Sequence, residues 1–301
     1  MAENPSPSYP SVAIIGPGAI GTTIAAALHR AGRTPVLYGR TARPSVTLRD
    51  ADGTVVVPGP VRTRLDEVEG TVDLVFVAVK TTQIEAAAPW LAALCHAGTV
   101  VCVLQNGVEQ EQSVTPSVPD NSVVPAVVWF PAQTQPDGSV WLRARARLTL
   151  PDVQASRVVA AALRDTECSV ELVEDFTSVA WRKLLQNAVA GLMVLTGRRS
   201  GMFRRADIAD LARRYLREGL EVARAEGARL GAEVAEEIVE YFRTNPPDLG
   251  TSILADSEAG QALEWDTRNG IIRRCGIAQG IPTPVSDVVV PLLAAASDGP
   301  G

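Results

Sequence analysis

The spacing of apolar and polar positions changes character near residue 173. Before it, short apolar runs alternate with helix-forming stretches. SVAIIG (11–16) is a brief apolar run ending at glycine, and TTIAAALHRAG follows with helical composition, closed by Gly32. PVLY (35–38) reads as the next strand, and SVTLR, the turn DADG and TVVVPG read as a β-hairpin. VDLVFVAV (72–79) is a near-continuous β-branched run, as expected of a strand buried on both faces. QIEAAAPWLAAL (83–94) then reads as helix and TVVCVL (99–104) as another buried strand. Strand and helix alternating at this spacing build βαβ units and a parallel sheet.

From Asn121 to Leu150 the pattern becomes VVPAVVWF, the turn QPDGS and VWLRARARLTL, which predicts antiparallel strands extending the sheet. A helix over 152–164 and a strand over 169–173 close the first half. Beyond Glu174 clear strands vanish. Long helical stretches take over: SVAWRKLLQNAVAGLMVL, DIADLARRYLREGLEVARAEGARLG and VAEEIVEYFRT. The expected organisation is a disordered leader over 1–10, an α/β domain with a Rossmann-type doubly wound sheet over 11–173, and an all-helical domain over 174–301.

Composition adds bounds to this picture. The 301 residues suffice for one large domain or two ordinary ones. A hydrophobic share of 46% with 21% charged residues is that of a globular protein in water. The net charge of −6 argues against a nucleic-acid partner, which needs a basic face, but leaves room for a local anion pocket. No run approaches the roughly 18 apolar residues of a membrane helix, and MAENPSPSYP lacks the apolar core of a signal peptide. A cytoplasmic enzyme or binding protein is expected, without a membrane partner. Cys95, Cys102, Cys168 and Cys275 lie far apart, and His29 and His96 are the two histidines, so no metal site is expected. The long amphipathic helices suit a homodimer.

Candidate chemistry starts at IIGPGAIG (14–21), where Gly16, Gly18 and Gly21 stand in G-x-G-x-x-G spacing between a strand and a helix. Gly16 permits a tight turn, Gly18 lets backbone approach a pyrophosphate, and Gly21 allows close helix–strand packing. The intervening Pro17, Ala19 and Ile20 belong to the same cofactor loop. An NAD site places a carboxylate after the second strand. Here LYGRTAR holds Arg40 and Arg43 instead, and a guanidinium suits a 2′-phosphate. This predicts NADPH, with Arg40 the main determinant; the alternative is an exposed loop arginine.

Among 28 Lys plus Arg, only Lys80 and Lys183 are lysines. Lys80 and Asn106 follow the third and fourth parallel strands, at the edge where open α/β sheets bind ligands, which assigns both to the cofactor; either would otherwise be a turn residue. Lys183 and Asn187 lie four residues apart on one helix and share a face. Reducing a carbonyl requires a proton on oxygen, and lysine, unlike arginine, is a cation that can give one up. The alternative for Lys183 is a surface lysine paired with a neighbouring helix.

IIGPGAIG, the VK of VAVKTTQ, QNG, WRKLLQN and the tail TSILADSEAGQALEWDTRNGIIRRCGIAQGIPTP together resemble the ketopantoate reductases (2-dehydropantoate 2-reductases). The resemblance runs from about residue 11 to residue 290, with the motifs in the same order. It implies a Rossmann domain, a helical domain, and NADPH-dependent reduction of a 2-keto acid to a 2-hydroxy acid in the cleft between them, a step of pantothenate biosynthesis. It implies cofactor contacts at Gly16, Gly18, Gly21, Arg40, Lys80 and Asn106, and Lys183 as general acid. Glu264 matches the acidic partner of that lysine, Ser252 a substrate-binding serine, and Asn187 is grouped with it toward substrate. Read alone, Glu264 is equally a surface helix residue and Ser252 a helix N-cap. The family's second asparagine, four residues after Asn187, is here Gly191, and the stretches TGRRSGMF and TNPPDLG lack its later asparagines. The identity of the keto acid therefore stays open. The competing readings are a β-hydroxyacid or polyol-phosphate dehydrogenase and a non-catalytic NADP(H)-binding regulator.

Overall fold

The computed structural model describes residues 9–299, so the leader expected over 1–10 lies outside the described residues save for its last two positions. The chain forms two compact units, Met1–Gln105 with Glu109–Glu174, and Asn106–Val108 with Asp175–Gly301.

In the first unit, β1 (Val12–Ile15) leads into α1 (Ala19–Arg30), followed by β2 (Val36–Tyr38), β3 (Ser45–Asp50), β4 (Gly53–Pro58) and β5 (Val61–Arg62). Next come β6 (Leu74–Val77), α2 (Ile84–Leu94), β7 (Val100–Val103), α3 (Gln110–Val114) and β8 (Ser122–Pro125). The unit ends with β9 (Val127–Val128), β10 (Ala132–Thr134), β11 (Val140–Leu142), β12 (Arg147–Pro151), α4 (Gln154–Ala162) and β13 (Ser169–Val173). Six strands form one parallel sheet in the order β5-β2-β1-β6-β7-β8.

Alternate residues of its central strands feed two cores, as the two-residue period of a strand dictates. Ile14, Leu74, Phe76 and Cys102 pack with α1 and α4 on one face. Ala13, Ile15, Val75, Val77, Val101 and Val103 pack with α2 on the other. Both faces being covered, LVFV and VVCV need no polar positions. Burial also pushes the Cys102 thiol up, and that of Cys168 up to about 12, so neither is a ready nucleophile.

The region 121–150 differs from the expected antiparallel extension of the sheet. β8 joins the main sheet in parallel. β10 and β11, linked through QPDGS, instead pair with the β3–β4 hairpin in a second sheet, and β9, β12 and β13 form a third. Pro125, Pro131 and the Gly138 turn break the run into pieces too short to continue one ladder.

The second unit is built on α5 (Phe176–Thr196), with α6 (Ala206–Ala225), α7 (Glu233–Thr244), α8 (Ser252–Glu258), α9 (Ile271–Gln279) and α10 (Pro284–Asp298). A π-helical turn, Asp266–Gly270, precedes α9. Asp175 caps α5 by accepting from the Ser178 N–H at 3.2 Å, and Gly197 ends it in the left-handed conformation, φ +61°. Trp181, Leu184, Leu185, Ala188, Val189 and Leu192 of α5 are buried in the core of this unit. Lys183 and Asn187 fall between these positions and stay half-buried. Among the described residues no helix is long and apolar enough to cross a membrane.

Candidate functional site

The first group of candidate residues surrounds the end of β1. Gly16 has a φ of +90°, and a Cβ there would stand 2.6 Å from Val79 Cγ1. A Cβ on Gly21 would lie 2.3 Å from the Gly16 carbonyl oxygen. At Gly18 nothing lies within 4 Å, so that side of the backbone is open to a ligand. The three glycines thus meet three separate demands: a turn, an open approach and a close helix contact. Gly18 is the N-cap of α1, whose first-turn N–H groups have no acceptor inside the helix and suit a phosphate. Pro17, Ala19 and Ile20 complete the loop and its entry into α1.

The strand order reverses between β1 and β6, the place where such sheets take up ligands. Lys80 lies three residues beyond β6, later than the strand end expected for it. It is the N-cap of a 3₁₀ turn, Thr81–Gln83, and its N–H donates to Gln83 Oε1 at 3.3 Å. Gln105, which the sequence reading passed over, is buried and donates from Nε2 to the Val79 carbonyl at 2.9 Å, tying the loops after β6 and β7 together. Arg40 is exposed just past β2. A Cβ on the preceding Gly39 would meet Pro17 Cδ at 3.0 Å, which sets this corner against the glycine loop. The residues present therefore fit a dinucleotide: an open phosphate cradle with an exposed cation at the position that an NAD site gives to a carboxylate.

The second group lies wholly within the second unit. Asn106, expected with the cofactor residues, groups here instead. Asn187 Nδ2 donates to Asn106 Oδ1 at 3.2 Å, and Asn106 Nδ2 donates to Glu264 Oε2 at 3.2 Å. Lys183 stands one turn before Asn187 on the same face of α5. Glu264 is 7% exposed, so it is not a surface helix residue. Ser252 is the first residue of α8 and exposed; Thr251, not Ser252, occupies the N-cap position.

Two residues of this region were not singled out from sequence. Arg268 is 2% exposed; its Nη1 donates to Ser252 Oγ at 3.1 Å and its Nη2 to Glu264 Oε2 at 3.2 Å. Glu264 and Arg268 in LEWDTRNG stand four apart, the spacing of a same-face pair, and that was the available signal. Asn269 is fully buried and donates to the Ala188 carbonyl and to Tyr215 Oη, both at 2.9 Å. It also accounts for Gly191: a Cβ there would stand 3.0 Å from Asn269 Nδ2 and from Leu293 Cδ1. A side chain at 191 would require Asn269 and Leu293 to give by a few tenths of an ångström, so the position is tightly packed. Among the described residues no group of three His, Cys, Asp or Glu side chains is placed to hold a metal ion.

Comparison with known proteins agrees with both halves. The family described as ketopantoate reductase PanE/ApbA matches residues 12–155, and its C-terminal counterpart matches residues 175–297. A 2-dehydropantoate 2-reductase of Mycobacterium tuberculosis is 56% identical over 96% of this chain and 99% of its own. One from Caulobacter vibrioides is 34% identical over 95% and 99%. Among solved structures, a dimeric ketopantoate reductase from Staphylococcus aureus superposes with a TM-score of 0.88, at 28% identity over 97% of this chain and 100% of its own.

Proposed function

The chain belongs to the ketopantoate reductase family, NADPH-dependent oxidoreductases acting on a keto group, and we propose that it reduces 2-dehydropantoate with Lys183 as proton donor. NADPH supplies the hydride when bound. The chain's own residues must bind the keto acid, orient its carbonyl and deliver a proton to the oxygen. One observation carries the assignment of roles: a hydrogen-bond chain runs from Asn187, beside Lys183 on α5, through Asn106 to the buried Glu264. Lysine is a cation that can give up a proton, which is what the carbonyl oxygen needs. Ser252, exposed at the start of α8, is the hydroxyl we assign to the substrate carboxylate.

On this reading Gly16 to Gly21 hold the pyrophosphate, Arg40 the 2′-phosphate, and Lys80 the cofactor's remaining negative charge. The cytoplasm, whose reducing conditions suit the buried thiols of Cys102 and Cys168, is the compartment we assign. A homodimer is the assembly we assign, on the likeness to the dimeric S. aureus enzyme. The test is NADPH oxidation with 2-dehydropantoate and a panel of other 2-keto acids. Turnover of 2-dehydropantoate above the panel, lost in Lys183→Ala, is the expected result. Tight NADPH binding without turnover of any keto acid would replace the reductase with a binding protein. Full turnover in Lys183→Ala would remove the lysine from its role.

A further inference from the structure

Arg268 has no part in the roles assigned so far, yet it is the most deeply buried arginine of the polar cluster. Its guanidinium is taken almost wholly out of water: the side chain is 3% exposed and Nε has no partner. Burying a charged fork is unfavourable unless it is paired, and apolar side chains of similar volume commonly stabilise a core better. Its partners are the serine and the glutamate already assigned to the site.

Resting on the proposed reductase reading, we infer that Arg268 is a positioning residue that fits this site to an anionic substrate, the carboxylate of a 2-keto acid. Two physical effects lead there. First, Nη1 donates to Ser252 Oγ, so the serine oxygen is used as acceptor and its hydroxyl proton is turned toward another acceptor. Ser252 is exposed, and the acceptor that suits a hydroxyl polarised by a cation is an anion. Second, the guanidinium sets the charge of the cluster. Glu264 and Lys183 alone sum to zero and would become negative on taking up a carboxylate. Adding Arg268 gives one net positive charge, which a single carboxylate neutralises. In a partly desolvated site that balance decides which substrates enter.

Arg268 sits on the π-helical turn. Asp266–Gly270 winds with the wider i→i+5 repeat, and Arg268 on it points back to Glu264 rather than out to solvent. Arg273 and Arg274 in the following α9 pair instead with Asp287 and Asp266 on the surface. Burial and partners, not the abundance of arginine, single out position 268.

The experiment compares a 2-keto acid with its neutral amide as substrates for the wild type and for Arg268→Met, Ser252→Ala and the double variant. The wild type should prefer the acid. Arg268→Met should raise KM for the acid by about tenfold to a hundredfold, the range of one hydrogen bond to a charged group, with NADPH KM unchanged. Its preference for acid over amide should collapse. In the Ser252→Ala background the same change should raise KM by clearly less than in the wild type, since the arginine acts partly through that serine. Wild-type KM and wild-type preference in a folded Arg268→Met would overturn the proposal, as would fully independent effects at 252 and 268. If Arg268→Met does not unfold cooperatively on heating, Arg268→Lys decides. It keeps the charge but not the fork, so KM for the acid must rise several-fold, and a wild-type KM overturns the proposal. Loss of all keto-acid reduction in the wild type would instead sink the reductase reading, which separates the two failures.

Discussion

The two units hold their chemistry in different ways. In the first, the phosphate cradle is six consecutive residues, and its shape is set by backbone: one positive φ, one open flank and one 2.3 Å approach that only hydrogen tolerates. In the second, the cluster draws on five places in the chain: Asn106, Lys183 with Asn187, Ser252, Glu264 and Arg268. Side chains rather than backbone set its shape. A backbone site is rigid and tolerant of its neighbours' identity. A side-chain site fails one hydrogen bond at a time, and its members can be tested against each other.

The largest expected effect separates the units most cleanly. Replacing Lys183 by methionine removes the proposed acid and should lower kcat by on the order of 10²–10⁴, with NADPH affinity intact. Gly21→Ala should do the converse. A methyl group 2.3 Å from the Gly16 carbonyl must push α1 off β1, which lowers NADPH affinity more than tenfold and costs about 1–3 kcal/mol of stability. Fluorescence titration of NADPH and steady-state kinetics on both variants check this. Equal loss of NADPH binding in the two would mean that the units do not divide the work as described.

That division explains what the sequence disclosed. The glycine loop was readable because its chemistry is local: the spacing itself is the structure. The parallel strands were readable because LVFV and VVCV carry no polar position. The short strands of 121–150 were misassigned because two- and three-residue strands take their partners from the tertiary fold, not from local pattern. Lys183 stands out by residue type and by its shared face with Asn187; Glu264 and Ser252 come from resemblance; and Arg268 and Asn269 emerge from burial and contacts. The four-residue spacing of Glu264 and Arg268 is a weak signal in so arginine-rich a chain until the arginine's exposure is known. Gly191 shows the converse case: a position that reads as a lost substrate contact is also one packed tightly against Asn269.

A smaller effect sharpens the description of the first unit. Arg40 is an exposed side chain on a corner set by the Gly39–Pro17 approach, so on the proposed reading the backbone positions it and the side chain alone would read the cofactor. Arg40→Asp should reduce the ratio of kcat/KM for NADPH over NADH by about tenfold to a hundredfold without changing the melting temperature. An unchanged ratio would move the 2′-phosphate contact elsewhere.

The smallest effect comes from comparing two arginine–carboxylate pairs. Arg268–Glu264 lies in the proposed site, whereas Arg30–Asp50 joins the end of α1 to the end of β3 and touches none of the candidate residues; Glu167 also pairs with Arg30. The hydrogen bond from Arg30, with its charge, holds the Asp50 carboxyl below the usual carboxylate range against the opposing effect of burial. A carboxyl whose pKa is lower folded than unfolded stabilises the fold above the unfolded value, near 3.9, and loses that contribution as pH falls through the folded value. Asp50→Asn should therefore lower stability by about 1 kcal/mol at pH 7, and the gap to the wild type should close as the pH drops below about 4. Its kcat and both KM values should match the wild type at pH 7. Urea melts at several pH values, read beside those constants, check both halves. A change in keto-acid KM would show that the ion pair of the scaffold also shapes the site.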